Sequence, residues 1–494
     1  MARAGKISRL RNAPGAACRL ALPAAFALLI AACSTANIPT DAIVPSPLPQ
    51  AQSELSPRQQ REHLRIVAAY GGIYDNEPLK AMLDRTVERL VAASERPDLK
   101  YQVTMLNSPA VNAFALPDGQ LYVTRGLIAL ANDNSELASV LAHEMAHVIA
   151  RHAAIRENQA RQAALVSRVA TDLLSDPQLG ALSLAKSKIA LASFSRAQEF
   201  EADGIGVGIS ARAGFDPYGA QRFLTSMGLN ARLRAPRTHI DPRAPDFLSS
   251  HPATPERVAN AVLNARQHSG PEGVRRDKSE YYALLDGVIY GEDPSEGFVR
   301  GRRFLHPKLG FTFTAPDGFI LDNTAQAVFG VKDGGGQALR LDVVRVPAEQ
   351  TLADYLVSGW IENVDPGSLG QFSVSGFPAA TATASGDQWT FRLYAVRFGS
   401  EVYRVIFAAK NRTEAVDRTF RDSINTFRRM TLAEMRSARP LRQRIVTVKR
   451  GDTLEQLGRR MGVSDRQVER FRALNGLGPR DRVKPGDLVK LAVD

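Results

Sequence analysis

The chain has 494 residues, enough for about three domains with independent cores. Hydrophobic residues make up 44% and charged residues 23%, near the averages of globular proteins, which excludes wholesale disorder and a multi-span membrane protein. The formal net charge is +12, but Arg3, Lys6, Arg9, Arg11 and Arg19 fall in a stretch with no acid, so the chain after residue 32 carries +7.

Residues 1–32 combine a basic start, an apolar run from Leu20 to Ala32 and small residues before Cys33, the pattern of a secretion signal. The run is too short for a comfortable membrane span. Ile30-Ala31-Ala32-Cys33 resembles a lipobox, which implies cleavage before Cys33 and acylation of its thiol. Ser34 replaces the aspartate typical of inner-membrane retention, so the expectation is an outer-membrane lipoprotein facing the periplasm. Cys18 would leave with the signal, and the mature chain would then hold no disulfide. Residues 33–57, with Pro39, Pro45, Pro47 and Pro49, suit an extended tether.

Residues 58–267 follow a mainly helical pattern, interrupted by a strand-like stretch between Tyr101 and Thr124. Residues 268–305 are polar around a short helix signal at Tyr281–Leu285 and are expected to be a connector. From 306 to 430 the pattern alternates with period two, and the runs Trp389–Phe398 and Glu401–Ala409 around Gly399-Ser400 read as a hairpin. Val416, Phe420, Ile424 and Phe427 then share one helical stripe, so this middle unit is expected to be α+β. It shows no catalytic constellation, and Trp360 and Trp389 are expected to pack in its core. A basic linker, 431–444, leads to a last unit at 445–494.

The chemistry concentrates in His143-Glu144-Met145-Ala146-His147, an HExxH motif. Asp133 and Glu136 offer a capping box, and Leu137, Leu141, Met145 and Val148 follow at helical spacing. Residues four apart share a helix face, so both imidazoles can meet one zinc ion while Glu144 reaches its water. A third protein ligand is needed, with one position left open. Glu199 is the candidate, on a second helical stretch ending at Gly214. Asp203, one turn on, can accept a hydrogen bond from a ligand histidine. Glu201 is expected to point away, and His152, five residues after His147, is expected on the helix surface.

These residues resemble the HExxH zinc metallopeptidase family of HtpX, BepA, the mitochondrial Oma protease and the CAAX prenyl protease. Supporting matches are Asn112-Ala113-Phe114-Ala115, Thr124-Arg125-Gly126-Leu127, Arg151-His152, Glu199 with Asp203, Ala213-Gly214-Phe215-Asp216-Pro217, and His251-Pro252 with Thr254-Pro255-Glu256-Arg257. The resemblance implies a mainly α gluzincin domain with a small sheet. It places one Zn2+ on His143, His147 and Glu199, and makes Glu144 the base and then the acid. It further implies that His251 and Arg257 donate to the oxyanion of the tetrahedral intermediate. Two plainer roles stay open beside these: Thr254 and Pro255 as a helix start, and His251 swinging onto the open metal position as a gate. Asn112 to Leu116 is either a core strand or a cleft edge that pairs with an extended substrate. The transmembrane helices of HtpX and the prenyl protease are absent from the pattern, as is the tetratricopeptide array of BepA, so their substrates do not carry over.

Val446-Thr447-Val448, Gly451-Asp452-Thr453-Leu454, Leu474-Asn475-Gly476-Leu477 and Val483 to Val489 resemble LysM, a small βααβ module that binds N-acetylglucosamine polymers such as peptidoglycan. Arg459 and Arg460 depart from its usual apolar stretch. Residues 436–494 carry 15 basic and 7 acidic side chains, suited to anionic wall polymer or lipid headgroups, whereas nucleic acid is not expected in this compartment. Deleting residues from Ile445 onward is expected to spare peptidase activity. The leading expectation is a lipid-anchored zinc endopeptidase for misfolded or unassembled envelope proteins. The alternatives are a non-catalytic chaperone or membrane-to-wall tether with a structural zinc, and a wall hydrolase.

Overall fold

A computed structural model describes residues 55–161, 194–234, 251–268 and 278–494, apart from 333, 387 and 464. The expected signal sequence, Cys33 and nearly all of the expected tether lie outside the described residues. No helix among the described residues is long and apolar enough to cross a membrane.

Helix α1 (Pro57–Ala69) begins at a Ser56–Gln59 capping box with proline in its first turn. After α2 (Glu77–Ala92) come β1 (Gln102–Leu106), β2 (Ala113–Ala115) and β3 (Gln120–Thr124). Their order is β1-β3-β2, with β1 parallel and β2 antiparallel to β3. It occupies the strand-like stretch expected between Tyr101 and Thr124, and β2 is one of its two outer strands. Thr124 caps the short α3 (Arg125–Leu130), which leads into α4 (Asn134–Ile149). Asp133 caps α4 by accepting from the Glu136 N–H at 2.8 Å, while the Glu136 carboxylate reaches back to the Asn132 N–H instead of completing the box.

Helix α4 is buried from Glu136 through Val148. α5 (Arg196–Arg212) crosses it so closely that a Cβ at Gly206 would sit 3.0 Å from the His143 backbone nitrogen. A side chain there would push the helices apart. α5 ends as expected at Gly214, whose φ of +79° suits the residue after a C-cap. α6 (Gly219–Arg234) and α7 (Pro255–His268) complete the helical layer.

Of the expected connector, 268–305, the stretch 278–305 does more than link two units. In α8 (Ser279–Leu285), Tyr281, Tyr282 and Leu285 enter the same core as Leu137 and Leu141 of α4. Their hydroxyls bond the Ile128 carbonyl at 2.7 Å and the Asn132 side chain at 3.2 Å, which meets the polar requirement of a buried tyrosine. Strand pairing also begins before residue 306. β5 (Phe298–Arg300) and β6 (Arg303–His306) join β7 (Phe311–Thr314) and β15 (Arg428–Arg429) in a four-stranded sheet.

The second sheet of the middle unit has seven strands in the order β11-β12-β13-β14-β10-β9-β8, all antiparallel. In chain order they are β8 (Phe319–Asn323), β9 (Val328–Lys332), β10 (Gln337–Val344), β11 (Val364–Val374), β12 (Phe377–Ser385), β13 (Thr390–Phe398) and β14 (Glu401–Ala409). The expected hairpin is β13–β14, closed by Phe398 opposite Glu401. α9 (Leu352–Leu356) packs on this sheet, and α10 (Glu414–Ile424) lays Phe420 flat on Phe407, ring centroids 4.5 Å apart. Trp360 is partly buried and stacks on Tyr355, in keeping with a packing role.

After α11 (Leu432–Ser437), β16 (Leu441–Thr447) takes up part of the expected linker. It pairs with β17 (Leu488–Val493), and the helices α12 (Leu454–Arg459) and α13 (Gln467–Leu474) lie between them in sequence, a βααβ order. β16 also pairs with β4 (Ile289–Tyr290), giving a sheet shared with the segment that follows α8.

The C-terminal unit is docked on the helical domain. Lys490 is fully buried and donates to the carbonyls of Ala129, Leu130 and Ala131 at 2.9, 3.0 and 2.8 Å. Three N–H donors thus meet three carbonyls at the C-terminal end of α3, where a cation also complements the helix dipole. Buried Gln443 adds a bond to Ala129, and Gly476 approaches Asn132 and Ser226.

Candidate metal centre

Because α4 places His143 and His147 one turn apart, their Nε2 atoms face each other at 3.1 Å. The Glu199 carboxylate arrives from the first turn of α5, with Oε2 3.6 Å from His143 Nε2 and Oε1 3.5 Å from His147 Nε2. Two ligands at 2.0–2.1 Å on a tetrahedral zinc lie about 3.4 Å apart, so these spacings fit one ion among three donors. His251 joins them: its Nδ1 is 2.9 Å from Glu199 Oε1 and 3.3 Å from His143 Nε2. All four residues are buried, and their donor atoms lie within 4.8 Å of one another, a group that can hold a metal ion.

The surroundings hold these donors in place. Asp203 Oδ1 lies 3.1 Å from His143 Nδ1, as the Glu199–Asp203 spacing suggests. The Arg257 guanidinium forks onto Asp203, with Nε and Nη2 at 2.8 and 2.7 Å, while Nη1 lies 2.6 Å from Glu199 Oε2 and 3.1 Å from the Pro252 carbonyl. This differs from the expected oxyanion donor. Arg257 is committed to the two carboxylates because both are buried and need a countercharge. Its backbone N–H meets Thr254 Oγ1, which confirms the helix start at Pro255.

Burial opposes the charge on Glu199, but the His147, His251 and His143 rings gathered around it outweigh that effect, holding the carboxyl well below its ordinary range. For Asp203, burial is likewise overcome by the Arg257 and His143 bonds. Glu144 has no such fork. Burial raises its pKa against the opposing influence of His251 and His143.

His152 also departs from expectation. It is not on the surface: only 1% of it is exposed, and its Nδ1 lies 2.8 Å from His147 Nδ1. Helix α4 stops at Ile149, and Arg151 turns the chain with a φ of +56°. Counting five residues along an unbroken helix therefore misplaces this ring. Glu201, which points away from the donors as expected, meets the far side of His152 at 3.3 Å.

A cavity of about 450 Å³ opens beside His147, Glu144 and His251. Its walls are Ile66 of α1 and Tyr70 just after it, Phe114 and Ala115 of β2, Leu116, Val148 and Phe194. Asn112 is buried and bonds the Tyr70 hydroxyl at 2.9 Å, while Ala113 packs inward. The Asn112–Leu116 stretch is thus both a core strand and a sheet edge bordering the cavity. The contributions of α1 and Phe194 carry no motif in the sequence.

A buried HExxH helix with a glutamate delivered by a second helix defines the class of the metallopeptidases. Residues 78–264 match peptidase family M48, and residues 446–491 match the LysM domain. The chain therefore carries an M48 peptidase domain and a LysM domain. It is 32% identical over 202 residues to mitochondrial metalloendopeptidase OMA1 of Schizosaccharomyces pombe, covering 40% of this chain and 57% of that one. It is 33% identical over 202 residues to the beta-barrel assembly-enhancing protease of Escherichia coli, covering 39% of this chain and 40% of that one. The chain thus spans roughly half the length of these relatives or less. Among solved structures, that of cyanobacterial PsbP from Synechocystis aligns with 28% of this chain at 14% identity and a TM-score of 0.22, too slight a likeness to carry an argument.

Proposed function

We propose that this chain is a zinc-dependent endopeptidase of the bacterial envelope that cleaves misfolded or unassembled proteins. The observation that carries the reading is the buried convergence of His143, His147 and Glu199 beside Glu144, at the mouth of an apolar cavity. When bound, zinc supplies Lewis-acid polarisation of the scissile carbonyl and an acidified water. Glu144 takes the proton of the attacking water on its carboxylate and returns it to the leaving amine. Asp203 fixes the His143 ring, and Arg257 holds Asp203 and Glu199 in register. The β2 edge aligns an extended substrate backbone, and the neighbouring apolar cavity takes a large side chain, a combination that favours unfolded segments.

His251 is the gate in this reading. Its Nδ1 sits among the donors, so the imidazole competes for the position that water needs. Residues 445–494 are proposed to bind peptidoglycan, and Cys33 to carry a lipid anchor in the outer membrane. The deciding experiment is Glu144→Gln in the full chain: zinc stoichiometry stays at that of the wild type while casein cleavage is lost. Unchanged cleavage rejects Glu144 as the base. Intact mass spectrometry of the envelope-extracted protein tests the anchor, and an unmodified N-terminus other than Cys33 refutes it.

A further inference from the structure

His147 turns Nε2 toward His143 and Glu199, which leaves Nδ1 for a second partner. Metal-ligating histidines ordinarily donate that second N–H to a carboxylate, a backbone carbonyl or water. His143 follows this pattern with Asp203, but the partner of His147 is another imidazole, His152 Nδ1 at 2.8 Å. The rings meet at 69° with centroids 4.9 Å apart. Two ring nitrogens at this distance share one hydrogen, so one donates and the other accepts.

The remaining contacts set the direction. With its Nε2 lone pair turned to the donor cluster, His147 carries hydrogen on Nδ1 and donates. His152 then accepts on Nδ1 and carries its own hydrogen on Nε2, which faces Glu201 Oε2 at 3.3 Å. We propose that His152 is a positioning residue for the metal centre, fixing the tautomer and angle of His147 and relaying to it the pull of the Glu201 carboxylate. Two features support a built arrangement. His152 is 1% exposed although it is a polar ring, and it is brought there by a left-handed Arg151, a backbone state uncommon for a residue with a side chain. Phe194 closes the other side of His147, stacked at 4.0 Å, so the ring is held on its face and at its back.

The inference rests on the reading of His147 as a ligand, and the test separates the two. Zinc affinity of the full chain is measured by competition with a chromophoric chelator, alongside the cobalt-substituted absorption spectrum and thermal unfolding of the metal-free protein. His152→Leu is expected to weaken zinc about 10- to 100-fold and shift the cobalt bands, whereas His152→Gln, which keeps an acceptor, stays within about threefold. Glu201→Arg changes an exposed side chain and cannot unpack the core. It is expected to weaken zinc about three- to tenfold, and this variant decides the matter should the leucine variant not fold. Wild-type affinity in His152→Leu, or in Glu201→Arg, overturns the proposal. Equal losses in the leucine and glutamine variants, paralleled by unfolding temperature, also overturn it, because packing alone would then explain the position. His147→Ala must abolish tight zinc binding. If it does not, the ligand reading itself fails; if it does while His152→Leu is neutral, only the present inference fails.

Discussion

Lys490→Met tests whether the C-terminal unit braces the peptidase domain. The wild-type ammonium makes three bonds to carbonyls at the end of α3, and each charge-assisted bond contributes about 1.5–3 kcal/mol net. Removing the charge also relieves a desolvation cost of several kcal/mol, since burial pulls the lysine pKa down against the fields of Glu136 and Asp133. Ala129 keeps its bond from Gln443 and Leu130 its bond from Asn132, so the substitution falls mainly on Ala131. The expected net loss is about 3 kcal/mol, roughly a hundredfold in the opening equilibrium. Global unfolding of several domains is not two-state. Hydrogen exchange over α3 and α4 is therefore the assay, with protection falling about a hundredfold there and little in β12–β14. Deleting residues from Ile445 onward should do at least as much. The expectation that this deletion spares peptidase activity concerns catalysis, and casein cleavage by the shortened chain checks it separately. Unchanged protection across Arg125–Ile149 refutes the bracing argument.

Three further outcomes are expected from buried charges elsewhere in the fold. Arg257→Ala strips a shared countercharge from two buried carboxylates, so stability should drop about 3–5 kcal/mol and zinc should be lost with it; full zinc occupancy with only kcat lowered would restore the oxyanion role. His251→Ala should raise basal cleavage of a fluorogenic peptide, and a fall in kcat with zinc retained would mark His251 as a donor instead of a gate. Glu292, whose pKa burial pushes up to about 7 from 4.5, holds a proton when folded that the unfolded chain has released. Stability should therefore fall as pH rises from 4.5 to about 7 and level off above, by up to about 3 kcal/mol. Glu292→Gln should remove that slope in thermal unfolding at pH 5 and pH 8, and an unchanged slope would acquit Glu292.

The parts of the centre legible in the sequence are those set by local helix geometry. His143 and His147, or Glu199 and Asp203, are four residues apart on continuous helices, so spacing alone places each pair on one face. The helix starts at Asp133 and Thr254 and the end at Gly214 carry cap chemistry that reads without a partner. Contacts chosen through space do not read this way. Nothing in the local pattern tells whether Arg257 spends its donors on buried carboxylates or on a substrate, since both lie within reach of the same helix start. Helical counting misplaces His152 because a non-glycine residue, Arg151, takes the left-handed turn that breaks α4. Lys490 sits in an alternating strand where a lysine ordinarily faces water, and only the docking of that strand on α3 buries it. Tyr281 and Tyr282 follow a long polar stretch, which hides their place in the core of a domain whose recognisable motifs end before them.

The Lys490 contact also bears on timing. It joins residues 360 apart in sequence, so the lysine that meets the end of α3 is made long after the carbonyls it bonds. Domains ordinarily mature from the N-terminus as they emerge. Here the HExxH segment emerges early, yet the carbonyls that end α3 gain their lysine only after the whole middle unit has passed. A nascent chain thus carries the helical domain without the three Lys490 bonds until β17 is made.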